Sequence, residues 1–439
     1  MRKKLANFDK YLDKFIGIFI PGIIVLLPVV FTLYVLNVHQ YISIPFRLDT
    51  FYRYTLGLLI SIYFYKLVMK KASFTKSDIF ICLFMFFTVL STFTAYNKTV
   101  ALYGYYNRYE GMFTLLFYGF LYLDCKLLPE KKHITKYIII ILSAGIIQFI
   151  CSILQFAGLF EKVIFMYTGE YIIGLTENAN FLGSMVCLTT IISIAYFLFI
   201  KKHYIFMLIS FIISYITLLL ANCTGPFITT VFVFVIMVIY LIVKKKINVK
   251  RTIIITLLMI ALYPAVLYHN NQIGEDIKLT FNLVHNIFVK DKKDKIEVEN
   301  FDDNDFLALG NQRIRIWKNV IVNSAKKPIL GYGPDNMGLL YKAMDGEKFT
   351  ADKAHNIYLN ILYSSGIFAM LSFIVWNIQC IRLGFKNGKD EVMVLCFGVL
   401  AYAIQGIMNI NVIEVTPYFY FAMGLMMWLV KEKKFSLKD

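Results

Sequence analysis

The residues of this chain that are best suited to chemistry lie in one polar segment, residues 269–355, of an otherwise apolar sequence. Arg313 is in the basic-aromatic stretch NQRIRIWKN, and His355 immediately precedes the next apolar run. A neutral imidazole accepts a proton from a hydroxyl group near pH 7. A guanidinium group stays charged and offers paired donors to phosphate oxygens. The two residue types together predict catalysis on a phosphate-bearing lipid at a membrane surface.

A helix is predicted to follow Asn311, a suitable N-cap, and to run to about Lys326. The turn series KPILGYGPDN, residues 327–336, then ends it. The apolar residues of this helix fall on one stripe, formed by Ile314, Trp317, Ile321 and Ala325. This pattern predicts a helix that lies on the outer membrane surface or packs on a helix bundle, with Trp317 as an interfacial anchor.

Arg313 lies in the first turn of this predicted helix, beside the free backbone N–H groups that favour phosphate binding. Arg315 lies about 200° further around a regular helix, so the two guanidinium groups do not grip one phosphate. We therefore expect Arg313 to face inward with Trp317, and we keep Arg315 as a second substrate-binding candidate. The alternative for both arginines is a solvated charge on an amphipathic helix.

Two further stretches place polar groups at the outer ends of predicted helices: YNRYEG (106–111) and GLTENANFLG (174–183). They supply substrate-binding candidates for the walls of a pocket that Arg313 and His355 are expected to share. Asn356, the residue after His355, is a further candidate. These candidates are Arg108, Asn178, Asn180 and Asn356, and Trp317 of the predicted loop helix is a further substrate-binding candidate. Arg108 has the alternative of a local ion pair with Glu110, and the asparagines have that of bonding backbone or neighbouring helices.

The composition predicts an all-α, polytopic integral membrane protein, because 59% of the residues are hydrophobic and only 17% are charged. Apolar runs long enough to cross a bilayer recur along the chain. About twelve transmembrane helices are expected: nine within 15–268, then the extracytoplasmic loop 269–355 with short amphipathic helices, and three within 356–430. The predicted spans are 15–38, 54–69, 78–95, 112–128, 137–159, 178–200, 204–221, 226–243, 252–268, 356–381, 391–411 and 417–430.

Basic residues cluster in every second connection and in both terminal tails, which predicts a plasma-membrane protein with both termini in the cytoplasm. The net charge of +17 therefore reflects topology and gives no support to a nucleic-acid partner. The seven cysteines lie in or beside apolar runs with no disulfide or zinc spacing, so neither a metal nor a cofactor is expected.

These motifs resemble the O-antigen ligase/polymerase family of bacterial membrane glycosyltransferases over roughly residues 100–425. The resemblance rests on YGYYNRYEGMFTLLFYG (103–119), GLTENANFLG, RIRIWKNVIVNSAKKPILGYGPDN (313–336) and AHNIYLNILYSSGIF (354–368). That family carries an Arg four residues before a Trp, a P-x-x-G-x-G turn and an H-N pair in this order. The matching residues are Arg313, Trp317, Pro328, Gly331, Gly333, His355, Asn356 and Gly366.

One stretch departs from the family pattern. Many members carry Ser/Thr-Arg-Gly at the outer start of the eighth helix, whereas this chain has CTGPF (223–227), without an arginine. Any phosphate contact from that position must therefore be absent or be supplied elsewhere, with Arg108 and Arg315 as candidates.

The resemblance implies a glycan carried on undecaprenyl diphosphate as donor, and a lipid, glycan or protein as acceptor, with no metal ion. It further implies that His355 orients or deprotonates the acceptor hydroxyl and that Arg313 stabilises the departing diphosphate. The sequence does not distinguish a ligase from a surface-polysaccharide polymerase or a protein-targeting oligosaccharyltransferase. The alternative from another class is a lipid-linked glycan flippase or other transporter, although a nine-plus-three split of the helices suits two six-helix halves poorly.

Overall fold

The computed structural model describes residues 2–38, 48–72, 74–106, 108–159, 172–268, 270–289, 313–344 and 351–430. The regular elements of these residues are helices. They are α1 (Arg2–Val38), α2 (Leu48–Val68), α3 (Lys76–Phe93), α4 (Lys98–Tyr103), α5 (Met112–Cys125), a 3-10 helix (Lys131–His133), α6 (Ile134–Phe156), α7 (Ala179–Phe199), α8 (Tyr204–Ala221), α9 (Thr224–Val243), α10 (Val249–Leu267), α11 (Gln272–Phe288), α12 (Arg313–Ser324), α13 (Met337–Met344), α14 (Ile357–Asn387), α15 (Asp390–Gln405) and α16 (Thr416–Val430).

Within the described part, 8 helices are long and apolar enough to cross a membrane: α1, α3, α6, α7, α8, α9, α10 and α14. The apolar helices α5 and α16 are shorter. Helices α2 and α15 occupy the two remaining positions at which spans are predicted. The prediction of an all-helical membrane protein is thus confirmed, while the number twelve stays a prediction.

Helix α7 lies in the middle of the bundle, between α6, α8, α9 and α15. Its sequence is apolar on every side, and a helix of that kind is stable only when it is surrounded. Helices α5, α14 and α16 meet around Trp376, which stacks on Tyr420 at 5.3 Å between ring centroids. Tyr122 approaches the same indole edge-on at 5.0 Å. The tight core of the bundle therefore fixes the ends of α7 and α14, where the candidate residues lie.

Helix α14 is broken at Gly366, whose backbone angles are φ 84 and ψ 178. The turn at residues 327–336 fits into this break. The N–H groups of Tyr332 and Gly333 donate to the carbonyls of Tyr363 and Ser364 at 2.9 and 2.8 Å. In the other direction, the N–H group of Ile367 donates to Pro328 O at 2.8 Å. The turn thus satisfies backbone groups that the break releases, which is how irregular backbone is tolerated inside a membrane protein.

Helix α12 begins at Arg313 and ends at Ser324, close to the predicted end, whereas the predicted cap Asn311 lies outside the described residues. Ile321 of the predicted apolar stripe is 53% exposed, so the stripe does not pack on the bundle along its whole length, and its contact with the outer membrane surface stays a prediction. The residues buried against α14 are instead Ile316, Val320, Asn323 and Ser324. The sequence carries apolar residues on two faces of α12, and periodicity alone cannot tell which face α14 covers.

Candidate functional site

A cavity of about 570 Å³ lies between the N-terminal ends of α7 and α9 and the helices α11 and α12. One part of its wall is polar and the other apolar. The polar lining residues are Glu177, Asn178, Asn180, Asn222, Thr224, Gln272, Asp276, Thr280 and Arg313. The apolar ones include Ile173, Ile228, Leu279, Leu283, Val284, Ile314, Trp317 and Met408. Such a mixed wall suits a ligand with an apolar chain and a polar head.

Arg313 is the first residue of α12 and, within the part of the chain that the structure describes, the only basic residue that lines the cavity. Burial lowers the pKa of this guanidinium group, and the nearby Cys223 and Asp276 oppose that effect. Arginine nevertheless stays charged at any physiological pH. The carboxylate of Asp276 accepts hydrogen bonds from Thr224 Oγ1 at 2.6 Å and Gln272 Nε2 at 2.8 Å. The helix start and its guanidinium group therefore face the cavity, as expected for an anion site.

Asn178 and Asn180 line the same cavity. Asn178 is the N-cap of α7, and its Oδ1 accepts the backbone N–H of Asn180 at 2.8 Å. The alternative that these asparagines bond the backbone is therefore confirmed for Asn178. It does not remove either side chain from the cavity wall, so both remain candidates for substrate contact.

His355 lies directly before α14 and adopts the left-handed backbone conformation, with φ 48. The chain on both sides of it is fixed. Trp317 Nε1 donates to the carbonyl of Ala354 at 3.1 Å. Asn356 caps α14 by accepting the N–H of Leu359 at 3.0 Å, which makes Asn356 a structural residue here. His355 and Asn356 are not among the cavity-lining residues, whereas Trp317 both lines the cavity and touches the His355 segment.

The charges around His355 favour its neutral form. Burial lowers the pKa of the imidazole most, and Arg313 and Arg108 lower it further, while Asp352 raises it. A half-buried histidine beside two cations is uncharged at neutral pH and can accept a proton. Arg313 and Arg108, two of the predicted site residues, thus act electrostatically on His355.

Arg108 joins the two parts of the site. Its Nε donates to Asp352 Oδ2 at 2.5 Å, three residues before His355, and its Nη1 lies 3.7 Å from Glu177 Oε2 in the cavity wall. The guanidinium group also lies over the ring of Phe181 at 5.4 Å. Arg108 itself is not a lining residue. It bridges the cavity wall and the His355 segment.

The alternative of a local ion pair between Arg108 and Glu110 is wrong. Glu110 Oε2 lies 3.2 Å from Lys353 Nζ, and Tyr118 donates to Glu110 Oε1 at 3.1 Å. The residue between the two charges, Tyr109, has a left-handed backbone with φ 51, so the chain turns between them. Each charge therefore finds its partner in the segment that leads to His355.

A buried ion triad next to His355 was missed in the sequence. Lys353 is 1% exposed and lies between Glu110 and Asp335, with Asp335 Oδ1 at 2.5 Å. Asp335 Oδ2 also accepts the backbone N–H groups of Tyr105 and Glu110 at 2.7 and 3.1 Å. Glu110 lies more than two hundred residues before Asp335 and Lys353 in the sequence, so residue spacing gave no signal for this triad.

Arg315 lies on α12 but does not line the cavity, so the structure does not bring it together with Arg313. Trp317 was predicted to anchor the helix at the membrane interface. Its indole N–H donates instead to the backbone carbonyl of Ala354 inside the protein. All seven cysteines are free. Among the described residues no group of three His, Cys, Asp or Glu side chains is arranged to hold a metal ion.

Comparison with known proteins identifies the region that carries most of these residues. Residues 208–374 match the family model described as O-antigen ligase, a range that includes Arg313, Trp317 and His355. Arg108, Asn178 and Asn180 precede the matched range. No curated protein sequence matches the chain. Together with the helices that can span a membrane, the match shows a polytopic protein in which residues 208–374 are similar to the O-antigen ligase family.

Proposed function

We propose that this protein is a plasma-membrane glycosyltransferase that moves a glycan from undecaprenyl diphosphate to a hydroxyl group of an extracytoplasmic acceptor. The observation that carries the proposal is the position of Arg313. It begins a helix, faces a half-apolar cavity, and acts electrostatically on the half-buried His355. The match to the O-antigen ligase family supports the same reaction class.

The donor diphosphate binds at Arg313 in this proposal. Free N–H groups at the start of α12 and a bidentate guanidinium group suit adjacent phosphates. The isoprenoid chain lies along the apolar residues of α11, among them Leu279, Leu283 and Val284. Arg313 also acts on Cys223, which directly precedes Thr224, the position where many relatives carry another arginine. Arg313 therefore supplies positive charge to the part of the site where that arginine is missing.

The chemical step uses His355 as the base. Its imidazole takes the proton of the acceptor hydroxyl as the oxygen forms a bond to the anomeric carbon. The bond between that carbon and the diphosphate oxygen breaks, and the electron pair leaves with the diphosphate. Arg313 stabilises the charge that develops on the leaving group, without a metal ion. The lowered pKa of the half-buried His355 keeps its imidazole uncharged near neutral pH, which suits it to accepting this proton.

The direct test is a transfer assay with the purified full chain and repeat units linked to undecaprenyl diphosphate. Chain extension identifies a polymerase, and transfer to an added lipid or peptide identifies a ligase or an oligosaccharyltransferase. His355→Ala should lower the transfer rate by about 10²–10⁴-fold. His355→Gln retains hydrogen bonding without proton acceptance, so equal rates for Gln and wild type would show that His355 only orients the acceptor.

The same preparation separates this enzyme from a flippase. A flippase moves the lipid-linked glycan intact across reconstituted vesicles and releases no undecaprenyl diphosphate. Translocation without any transfer product, unchanged in His355→Ala, would overturn the proposed function.

A further inference from the structure

The charge of the cavity does not suit a diphosphate as it stands. Glu177 and Asp276 both line the cavity, and Arg313 is the basic residue of its lining. With both carboxyl groups ionised, these three side chains carry a net negative charge toward an anionic ligand. Like charges in a partly desolvated site repel, so protonation of one of the carboxyl groups favours the entry of the diphosphate.

Asp276 is hydrogen-bonded through both of its carboxyl oxygens. Thr224 and Gln272 donate these bonds, at 2.6 and 2.8 Å. Asp276 also acts on the positive charge of Arg313. The oxygens of Asp276 are therefore already engaged by donors of the protein.

Glu177 is placed differently. Its side chain is only 11% exposed, and its ionic contact with Arg108 Nη1 is 3.7 Å long. Arg108 is already engaged by Asp352 at 2.5 Å. The guanidinium group thus serves two carboxylates at unequal distances. Glu177 is the weaker partner, and it is the one that faces the cavity.

The other charged and titratable groups around Glu177 come from several segments. They are Arg108 before α5, Asp352 before α14, Glu414 before α16 and Tyr34 of α1, with Asp276 and Arg313 also lining the cavity. Burial raises the pKa of Glu177 to about 7, Asp352 raises it as well, and Arg108 lowers it. Burial raises the pKa of Glu414 to about 8, and the two glutamates disfavour each other's charge. A further anion in the cavity favours the protonated form of Glu177 more strongly.

We infer that Glu177 is a donor-binding residue that contacts the diphosphate as a protonated carboxyl group, so that each donor molecule binds together with one proton. The proton comes from solvent, remains on the carboxyl oxygen and is donated in a hydrogen bond to a phosphate oxygen. It returns to solvent when the lipid diphosphate leaves. The inference rests on the proposed function, because it takes the diphosphate to be the ligand beside Arg313.

The sign of the pH dependence follows from this linkage. Below pH 7 free Glu177 is already protonated, and the affinity is at its maximum. As the pH rises through 7, binding must first protonate Glu177, so the affinity of the wild type falls. Glu177→Gln keeps an N–H donor and takes up no proton. At pH 8 the variant should bind roughly tenfold more tightly than the wild type, and at pH 6 the two should bind equally.

The experiment uses the full chain in lipid nanodiscs and geranylgeranyl diphosphate as the probe. Isothermal titration calorimetry at pH 6 and pH 8, in two buffers of different protonation enthalpy, measures affinity and proton uptake together. The probe's own ionisation is common to both proteins, so the difference between wild type and Glu177→Gln reports Glu177. Asp276→Asn is the matched control, because it removes the other lining carboxylate and leaves Glu177 in place. The affinity difference between Asp276→Asn and the double variant Asp276→Asn/Glu177→Gln should therefore still depend on pH.

The outcomes are distinct. Extra proton uptake by the wild type at pH 8, lost in Glu177→Gln, supports the inference. Equal proton uptake and a constant affinity ratio from pH 6 to pH 8 overturn it, provided that Arg313→Ala still weakens binding. If the probe binds with the same affinity to Arg313→Ala and wild type at both pH values, the diphosphate site itself is misplaced, and the proposed function fails with it.

Discussion

The indole N–H of Trp317 donates a hydrogen bond of 3.1 Å to the backbone carbonyl of Ala354, the residue before His355. This bond ties α12, which begins with Arg313, to the segment that carries the histidine. Trp317 also lines the cavity. The side chain of Trp317 therefore connects Arg313, which is proposed to stabilise the leaving group, to His355, the proposed base. This connection is the physical reason for treating the two residues as one site.

Arg313 is expected to act through the planar fork of its guanidinium group. Arg313→Lys keeps the charge and loses bidentate geometry, so donor use should weaken while the protein still inserts and folds. Arg315→Ala is the matched control on the same helix, because Arg315 does not line the cavity. Rates measured over a range of donor concentrations check this. Full activity of Arg313→Lys with an inactive Arg315→Ala would reverse the assignment.

The pH profile of transfer should depend on the ion pair beside His355. The neutral imidazole is the active form, so activity is lost as the pH falls through the pKa of His355, which lies below its ordinary value. Arg108→Gln removes a cation that lowers this pKa, and the acid limb should move to higher pH. Asp352→Asn removes an anion that raises it, and the limb should move to lower pH. Shifts in the same direction for both variants would contradict the assignment of His355 as base.

Gly366 is expected to tolerate no side chain. Its φ and ψ belong to a region that is open almost only to glycine, and an added Cβ would overlap the carbonyl oxygen of Ile329. Gly366→Ala should lower the free energy of unfolding by about 3 kcal/mol or more. Gly22→Ala is the control, because a Cβ there meets nothing within 4 Å. Thermal unfolding in detergent compares the two variants, and equal midpoints would show that the break in α14 can relax.

The buried triad predicts that the loss of stability from removing its cation is partly restored by removing one of its anions. Lys353→Met leaves Glu110 and Asp335 without their cation, which should cost about 3–5 kcal/mol of unfolding free energy. Adding Glu110→Gln to Lys353→Met removes one of the two buried carboxylates that have lost their cation. Asp335 keeps two backbone N–H donors. The double variant should therefore be more stable than Lys353→Met. Chemical or thermal unfolding measures this, and strictly additive losses would show that the charges do not interact.

The alternation of basic connections predicts the orientation in the membrane. The loop 269–355 should face outward, and both termini and the connection at 244–251 should face the cytoplasm. In a background without the native cysteines, a cysteine at Asn300 should react with an impermeant maleimide in intact cells. A cysteine at Lys245 should react only after permeabilisation. The opposite pattern would place the proposed site on the wrong side of the membrane for this reaction.

The helical class and the start of α12 could be predicted from the sequence because both depend on local patterns. A long apolar run must form a helix in a bilayer, wherever its neighbours lie. The combination of Arg313, Trp317, the P-x-x-G-x-G turn and His355 also led to the family that the 208–374 match confirms. These features require no knowledge of distant contacts.

Contacts between distant segments were decided only by the tertiary structure. Arg108 finds Asp352 and Glu177, and Lys353 finds Glu110, because packing brings those segments together; ion pairs have no sequence periodicity. The buried face of α12 was equally undetermined, since two apolar faces compete and α14 selects one. The turn at 327–336 looked like a helix terminator, yet it fills the break at Gly366, because only the fold shows which backbone groups need partners.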